Sequence, residues 1–110
     1  MPKTDSLQGS LDLLVLKILS RRPRLHGYAI MAAIAGTSGD VLRAEEGSLY
    51  PALQRLLLQG WVKAEWKMTE TNRRARFYTL TAPGRKQLGL EVSQFEQMIT
   101  AIGRVLSEPA

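Results

Sequence analysis

Residues 46–62 constrain the possible folds more than any other stretch, because an amphipathic helix there is followed at once by an alternating strand. We predict that the helix begins near Gly47 or Ser48 and ends at Gly60. Pro51 is then in the first turn, where the missing N–H of proline removes no hydrogen bond. Apolar side chains recur at helical spacing along one face: Leu49, Ala52, Leu53, Leu56 and Leu57. The pattern predicts a short helix that buries this face.

The opposite face of this helix is polar and carries Ser48, Tyr50, Pro51, Gln54 and Arg55. Hydroxyl, phenol, amide and guanidinium groups bind phosphates and base edges. A polar helix face is also the ordinary form of solvated surface. This face therefore favours nucleic-acid contact only in combination with the basic residues that come after it in the chain.

A β-hairpin is predicted next, because apolar and charged residues alternate from Val62 to Met68. A polar turn spans residues 69–74, and Ala75 to Leu80 return as the second strand. We expect a two-stranded sheet with its aromatic side chains, including Trp66, turned towards the core. Five cationic side chains lie on the hairpin: Lys63, Lys67, Arg73, Arg74 and Arg76. Charged hairpins are often only solvated edges, but three of these arginines flank one turn directly after a polar helix face.

Two further helices precede this unit. The first is predicted from Gln8 to Ser20, after a frayed tail over residues 1–6, and its apolar residues cover nearly all faces. Such a helix belongs in the centre of a core. The second is predicted from Gly27 to Ala35, with His26 ordering the turn before it. Residues 41–45 fit either a short extended segment or a bridge.

A long final helix is predicted from the N-cap Thr81 to about Leu106. Apolar residues recur along it at spacings of four and three, which is typical of a coiled-coil seam: Leu88, Val92, Phe95, Ile99, Ile102 and Leu106. At 1.5 Å per residue the helix is roughly 38 Å long, whereas a compact domain of ~75 residues has a radius of only ~11 Å. Its first turns can pack on their own domain, and we expect the rest to pair with a second copy in a homodimer.

Composition limits the functions that this chain can have. A net charge of +5 favours a polyanionic partner without proving one. There is no cysteine and a single histidine, so we expect no metal site, no cofactor and no catalysis of the kinds that use these residues. The sequence has neither an apolar signal core nor a run of ~18 apolar residues. We therefore expect a cytoplasmic protein with no membrane partner.

The order of elements predicts a fold that is mainly α with a small β-hairpin, namely a winged helix-turn-helix plus a long C-terminal dimerisation helix. Residues 1–80 would form the DNA-binding domain and residues 81–110 the dimerisation helix. The DNA-binding surface predicted from the residues themselves consists of the polar face of the third helix and the arginines of the hairpin: Ser48, Tyr50, Gln54, Arg55, Arg73, Arg74 and Arg76.

The sequence also resembles the PadR-like family of transcriptional regulators over about residues 7–90. The resembling segments are Leu11–Leu16, His26–Tyr28, Glu46–Leu53, Leu57–Val62, Arg76–Thr81 and Pro83–Arg85. The resemblance implies a homodimeric bacterial repressor that binds a palindromic operator. It also implies DNA contacts by Tyr28, Ser48, Tyr50 and the hairpin arginines.

The function predicted from these observations is sequence-specific binding of double-stranded DNA in transcriptional regulation, most simply as a repressor. The alternative is a winged-helix module for protein–protein interaction, whose basic face is merely solvated. A small apolar or aromatic effector could bind between the final helix and the core helix, near Leu11, Val15, Phe95 and Met98. Alternatively, the chain has no effector and is controlled by its own abundance.

Overall fold

The computed structural model describes the backbone of residues 3–109 and the side chains of residues 10–109. The elements run in the order α1 (Lys3–Arg21), β1 (Leu25–His26), α2 (Gly27–Thr37), α3 (Glu46–Leu58), β2 (Val62–Met68), β3 (Arg74–Leu80) and α4 (Ala82–Leu106). The strands form one antiparallel sheet in the order β1-β3-β2. The fold is therefore mainly helical with a small sheet and a long C-terminal helix, as predicted.

The core forms where α1 crosses the other elements, which confirms α1 as the central helix. Its buried residues are Leu11, Val15, Leu16, Ile18 and Leu19. They pack with Ile30 and Ile34 of α2 and with the apolar face of α3. The helix begins at Lys3, so the prediction of a frayed tail over residues 1–6 is wrong for residues 3–6, and residues 1 and 2 lie outside the described residues.

A third strand, β1, was not predicted from the sequence. Leu25 pairs with Tyr78 and His26 pairs with Phe77, which adds β1 to the hairpin. The Nδ1 atom of His26 accepts a hydrogen bond from the backbone N–H of Ala29 at 3.2 Å and thereby caps α2. The expectation that His26 orders the start of α2 is thus met by an N-cap. Residues 41–45 form neither helix nor strand.

Helix α3 begins at Glu46, earlier than predicted, with Glu45 as its N-cap. Pro51 therefore lies inside the helix and not in its first turn, so the carbonyl of Gly47 lacks the N–H donor that a different residue would supply. The amphipathic prediction itself is confirmed. Leu49, Ala52, Leu53 and Leu56 are buried and Leu57 is half-buried.

The hairpin of β2 and β3 extends beyond the core. Its register pairs Val62 with Leu80 at the base and Met68 with Arg74 at the outer end. The base is buried at Val62, Tyr78 and Leu80. On the same face further out, Trp66 is 57% exposed. The prediction that Trp66 belongs to the core is therefore wrong, whereas Tyr78 is turned inward as predicted.

Helix α4 follows directly from the sheet at a tight junction. Thr81 caps it by accepting a hydrogen bond at Oγ1 from the N–H of Gly84 at 3.1 Å, as expected of an N-cap. The Thr81 hydroxyl also donates to the carbonyl of Gly60 at 2.7 Å. The Thr81 N–H donates to the carbonyl of Trp61 at 3.1 Å. These bonds join the segment after α3 to the start of α4.

The inner and outer halves of α4 have different environments. Leu88 is buried in the core of its own chain and Val92 packs against that core, which accounts for their apolar character without a partner. Phe95 is half-buried, and the helix beyond it is exposed, including Ile99 and Ile102. The structure extends 58 Å along its longest axis and only 29 and 21 Å along the others.

Candidate nucleic-acid interface

The polar face of α3 is directed away from the core. Tyr50 is 44% exposed. Gln54 is exposed and Ser48 is half-buried. The polar groups of these three side chains, which we predicted to contact phosphates and bases, therefore lie on the side of α3 that is turned away from the core.

Arg55, predicted for the same surface, has an intramolecular partner. Its Nη2 lies 2.8 Å from Oδ1 of Asp12, and its Nε donates to Oδ2 at 3.3 Å. This hydrogen bonding to Asp12 is the main cause that raises the pKa of Arg55. Burial opposes the rise, and the charge of Asp12 adds a smaller contribution to it. The ion pair joins α3 to α1. The sequence offered no signal for it, because the two residues are far apart in the chain.

Tyr50 lies against the start of α2. A Cβ atom added at Gly27 would stand 2.6 Å from the Tyr50 hydroxyl, so glycine is what leaves room for this approach. Tyr50 is also near enough to Tyr78 of β3 to influence its ionisation. Burial raises the pKa of Tyr78, and the Arg76 guanidinium opposes that rise. Helix α3, the start of α2 and the sheet therefore meet around Tyr50.

An open groove of about 820 Å³ runs between the start of α2 and the outer part of the hairpin. Tyr28, which is 73% exposed, lines its helical side. Arg73 and Arg74 line the hairpin side, and Arg24 borders it as well. The structure thus brings together residues that are about 45 positions apart in the chain and that the sequence assigned to one function.

The hairpin turn that presents these arginines is ordered by local hydrogen bonds. The Thr69 N–H donates to the Arg73 carbonyl at 2.7 Å, and the Arg73 N–H donates to Oγ1 of Thr69 at 3.1 Å. Asn72 has a φ of 62°, a left-handed conformation that asparagine tolerates better than most residues. The tip is therefore a defined turn.

The arginines of the hairpin carry uncompensated charge. The ion pairs among the side chains of residues 10–109 join Arg24 and Lys67 to Glu65, Arg43 to Asp40 and Arg55 to Asp12. Within that range, none of them includes Arg73, Arg74 or Arg76. Their guanidinium groups are accordingly available to an external anion.

No three His, Asp or Glu side chains among residues 10–109 are grouped so that they could hold a metal ion. None of the helices within residues 3–109 is long and apolar enough to span a membrane.

Three helices, a hairpin with an arginine-bearing tip and an outward polar face on the third helix define a winged helix-turn-helix protein of the transcriptional-regulator class. The model of the transcriptional regulator PadR-like family matches residues 15–90. The chain belongs to this family, as its sequence motifs indicated. No curated protein sequence matches it.

Solved structures of transcriptional regulators have the same fold. One from Clostridium thermocellum is 26% identical with a TM-score of 0.81, over 91% of this chain and 96% of that one. A PadR family regulator from Eggerthella lenta is 28% identical with a TM-score of 0.79, over 94% of this chain and 88% of that one. Bacillus subtilis PadR, solved in complex with operator DNA, is 27% identical with a TM-score of 0.65, over 74% of this chain and 46% of that one.

Proposed function

We propose that this chain is a sequence-specific DNA-binding regulator that acts as a homodimeric repressor on a palindromic operator. The observation that carries the proposal is the groove between α2 and the hairpin. Tyr28 on one side and Arg73 and Arg74 on the other supply the hydroxyl and guanidinium groups that bind phosphate. The start of α3 lies beside it, because Tyr50 contacts Gly27.

The roles of the residues follow from their positions. Helix α3 enters the major groove, where the amide of Gln54 can form two hydrogen bonds to an adenine. Tyr50 and Ser48 bind phosphates next to it, and Tyr28 binds the backbone from α2. The hairpin arginines contact phosphates or the minor groove. Arg55 supports this surface by holding α3 against α1 through Asp12.

A homodimer is proposed from the outer half of α4. Exposed apolar residues follow one another there within the last turns: Met98, Ile99, Ile102, Val105 and Leu106. An exposed apolar stripe at the spacing of a helix seam is typical of a helix that packs on another helix. A second copy of α4 is the partner proposed here, because the stripe lies on the part of α4 that extends beyond its own core.

The proposed effector has a candidate site between α1 and α4. A groove of about 340 Å³ is lined there by Ser10, Leu13, Gln87, Glu91, Gln94, Phe95 and Met98. Phe95 and Met98 were expected in it, whereas Leu11 and Val15 are fully buried in the core. The polar groups favour an amphipathic small molecule over a purely apolar one.

Selection from a pool of randomised duplex DNA tests the function. We expect enrichment of a palindrome whose half-sites lie one helical turn or a multiple of it apart. The affinity for that duplex should fall linearly with salt on a log–log plot, because bound phosphates release counterions. A reporter downstream of the selected sequence should be repressed when the chain is expressed. A pool that shows no enrichment and no salt-dependent binding would refute DNA recognition and favour the protein-interaction module.

A further inference from the structure

We propose that Trp66 is a positioning residue for DNA binding, and that its indole ring holds the Arg74 guanidinium ready for a phosphate. The inference rests on the proposed function, because it assigns Arg74 to the DNA backbone. It concerns a residue that the alternating pattern of β2 placed in the core and that the structure places on the hairpin surface.

The geometry of the pair is that of a cation–π contact. The guanidinium carbon of Arg74 lies 4.9 Å from the centroid of the Trp66 ring. Trp66 pairs directly with Arg76, and Met68 pairs with Arg74, so the contact is a diagonal one across the two strands. Diagonal neighbours on one face of an antiparallel pair are within reach of aromatic and long side chains.

Burial gives no reason for a tryptophan at this position. Trp66 is 57% exposed, although large apolar residues are usually enclosed when they stabilise a core. The ring does not fill a space between elements, because the hairpin extends beyond the core at this level. What the ring does contact is the guanidinium group of Arg74. That group has no acidic partner among the side chains of residues 10–109.

The neighbouring arginines differ from Arg74 in this respect. Arg73 belongs to the ordered turn, and Arg76 lies opposite Trp66 and beside Tyr78, two pairs nearer the base of the hairpin than Arg74. Only Arg74 of these three lies over an aromatic ring within residues 10–109. The three guanidinium groups are therefore not equivalent before DNA arrives.

A stacked guanidinium binds a phosphate more favourably than a free one. An arginine that is mobile in the free protein loses rotamer freedom on binding, which costs affinity. Stacking on a ring restricts the guanidinium beforehand and leaves its N–H groups at the edge of the plane free to donate. The ring also carries no charge, so it changes the affinity without changing the number of phosphates neutralised.

The test compares Trp66→Leu with Met68→Leu in the full-length chain, using a mixed-sequence duplex long enough for two half-sites at low salt. Met68 is a matched control, because it lies on the same strand and face and is also 57% exposed. We expect Trp66→Leu to weaken binding about 2- to 10-fold, which is the cost of ordering one long side chain. Met68 also lines the groove but has no aromatic ring, so Met68→Leu, which keeps an apolar side chain of similar size, should weaken binding less than Trp66→Leu does. Trp66→Phe should retain part of the affinity that the tryptophan provides, because phenylalanine is the weaker ring.

The salt slope and a double-mutant cycle separate positioning from a general effect. Arg74→Gln should lower the slope by about one, whereas Trp66→Leu should leave it unchanged. The double variant Trp66→Leu/Arg74→Gln should bind DNA no more weakly than Arg74→Gln alone. In the double variant Trp66→Leu/Arg73→Gln, the two losses of affinity should add. In NMR spectra of the free protein, the Arg74 Nε–H resonance should lose its ring-current shift in Trp66→Leu.

The outcomes distinguish this inference from the proposed function. If the wild type does not bind duplex DNA, the proposed function is wrong and the NMR shift alone tests the stack. If Arg74→Gln weakens binding but Trp66→Leu does not, the function stands and the positioning role is refuted. The positioning role would also be refuted if the loss of affinity in Trp66→Leu added fully to the loss in Arg74→Gln, as it should to the loss in Arg73→Gln.

Discussion

Replacing Gly84 by alanine should destabilise the protein, whereas the same change at Gly89 on the same helix should stabilise it. A Cβ atom at Gly84 would overlap the carbonyl oxygen of Trp61 and lie 2.9 Å from Cδ1 of Leu80. The obstacle is mostly backbone, and that carbonyl also accepts the N–H of Thr81. It therefore cannot move aside without weakening a hydrogen bond at the start of α4.

The expected size follows from these contacts. Overpacking costs about 1–3 kcal/mol, and a weakened hydrogen bond adds up to ~1 kcal/mol. The gain in helix propensity is small in the first turn, so we expect a net loss of about 2–3 kcal/mol. For a chain of this size that lowers Tm by roughly 10 °C. At Gly89 an added Cβ meets no atom within 4 Å, and alanine should gain about 0.5–1 kcal/mol.

Thermal unfolding followed by circular dichroism at one fixed protein concentration measures both variants. The fixed concentration matters because association would make Tm depend on it. Tm should fall for Gly84→Ala and rise by a few degrees for Gly89→Ala. A Gly84→Ala variant as stable as the wild type would refute the close approach of α4 to Trp61. A fall of equal size in both variants would attribute the effect to α4 as a whole.

Three further predictions concern the other proposed roles. Ile102 and Leu106 are exposed in the single chain, and replacing both by glutamate should yield a folded monomer because charges in a helix seam are costly to bury. Light scattering measures the mass, and a variant that stays dimeric would contradict the α4 interface. Gln54→Ala should lose the preference for one base in each half-site, a discrimination of roughly 1–3 kcal/mol, and its Tm should not change. If the same sequence is selected from randomised DNA by Gln54→Ala as by the wild type, Gln54 has no role in base readout. Because burial raises the pKa of Tyr78 above the usual value of about 10, its contribution to stability should be complete below pH ~10 and lost as the pH rises through the raised value. A late step in tyrosinate absorbance should disappear in Tyr78→Phe, and a titration unchanged by that substitution would contradict the assignment.

Periodicity predicted the elements that bury one face along their length. The sequence was sufficient to predict the apolar face of α3, the strands of the hairpin and the N-cap at Thr81. Each of these features depends on residues that are close together in the chain. The first turn of α3 was misplaced because proline tolerates the first turn but does not define it. The helix begins at Glu46, one or two residues before the start near Gly47 or Ser48 that Pro51 suggested.

Features that depend on residues far apart in the chain could not be predicted from the sequence. Strand β1 has two residues, too few to show alternation, and it exists only because β3 offers it an edge. The Asp12–Arg55 ion pair likewise depends on how α1 crosses α3. Alternation in β2 indicated correctly that Trp66 shares a face with Val62. It could not indicate that the core ends between them, because that depends on how far the helices reach.

The junction around Trp61 connects the proposed DNA-binding surface to the proposed dimer helix. The N–H of Trp61 donates to the carbonyl of Leu56 in α3 at 3.0 Å, and its own carbonyl accepts from Thr81 at 3.1 Å. Gly84 packs closely against that carbonyl. A rotation of α4 relative to α3 would therefore break backbone hydrogen bonds, each worth about 1 kcal/mol. In the proposed homodimer, the separation of the two α3 helices therefore depends on the packing of the two α4 helices.

This arrangement divides the proposed recognition between two parts of the chain. Half-sites on one side of B-DNA recur every ~34–36 Å, so the packing of α4 on its partner selects the spacing of the half-sites. Gln54 and the hairpin arginines act within one half-site and select its sequence and strength. Because the two parts meet only through the junction, a change that shifts the crossing of α4 on its partner should alter the preferred spacing and leave the preferred bases unchanged.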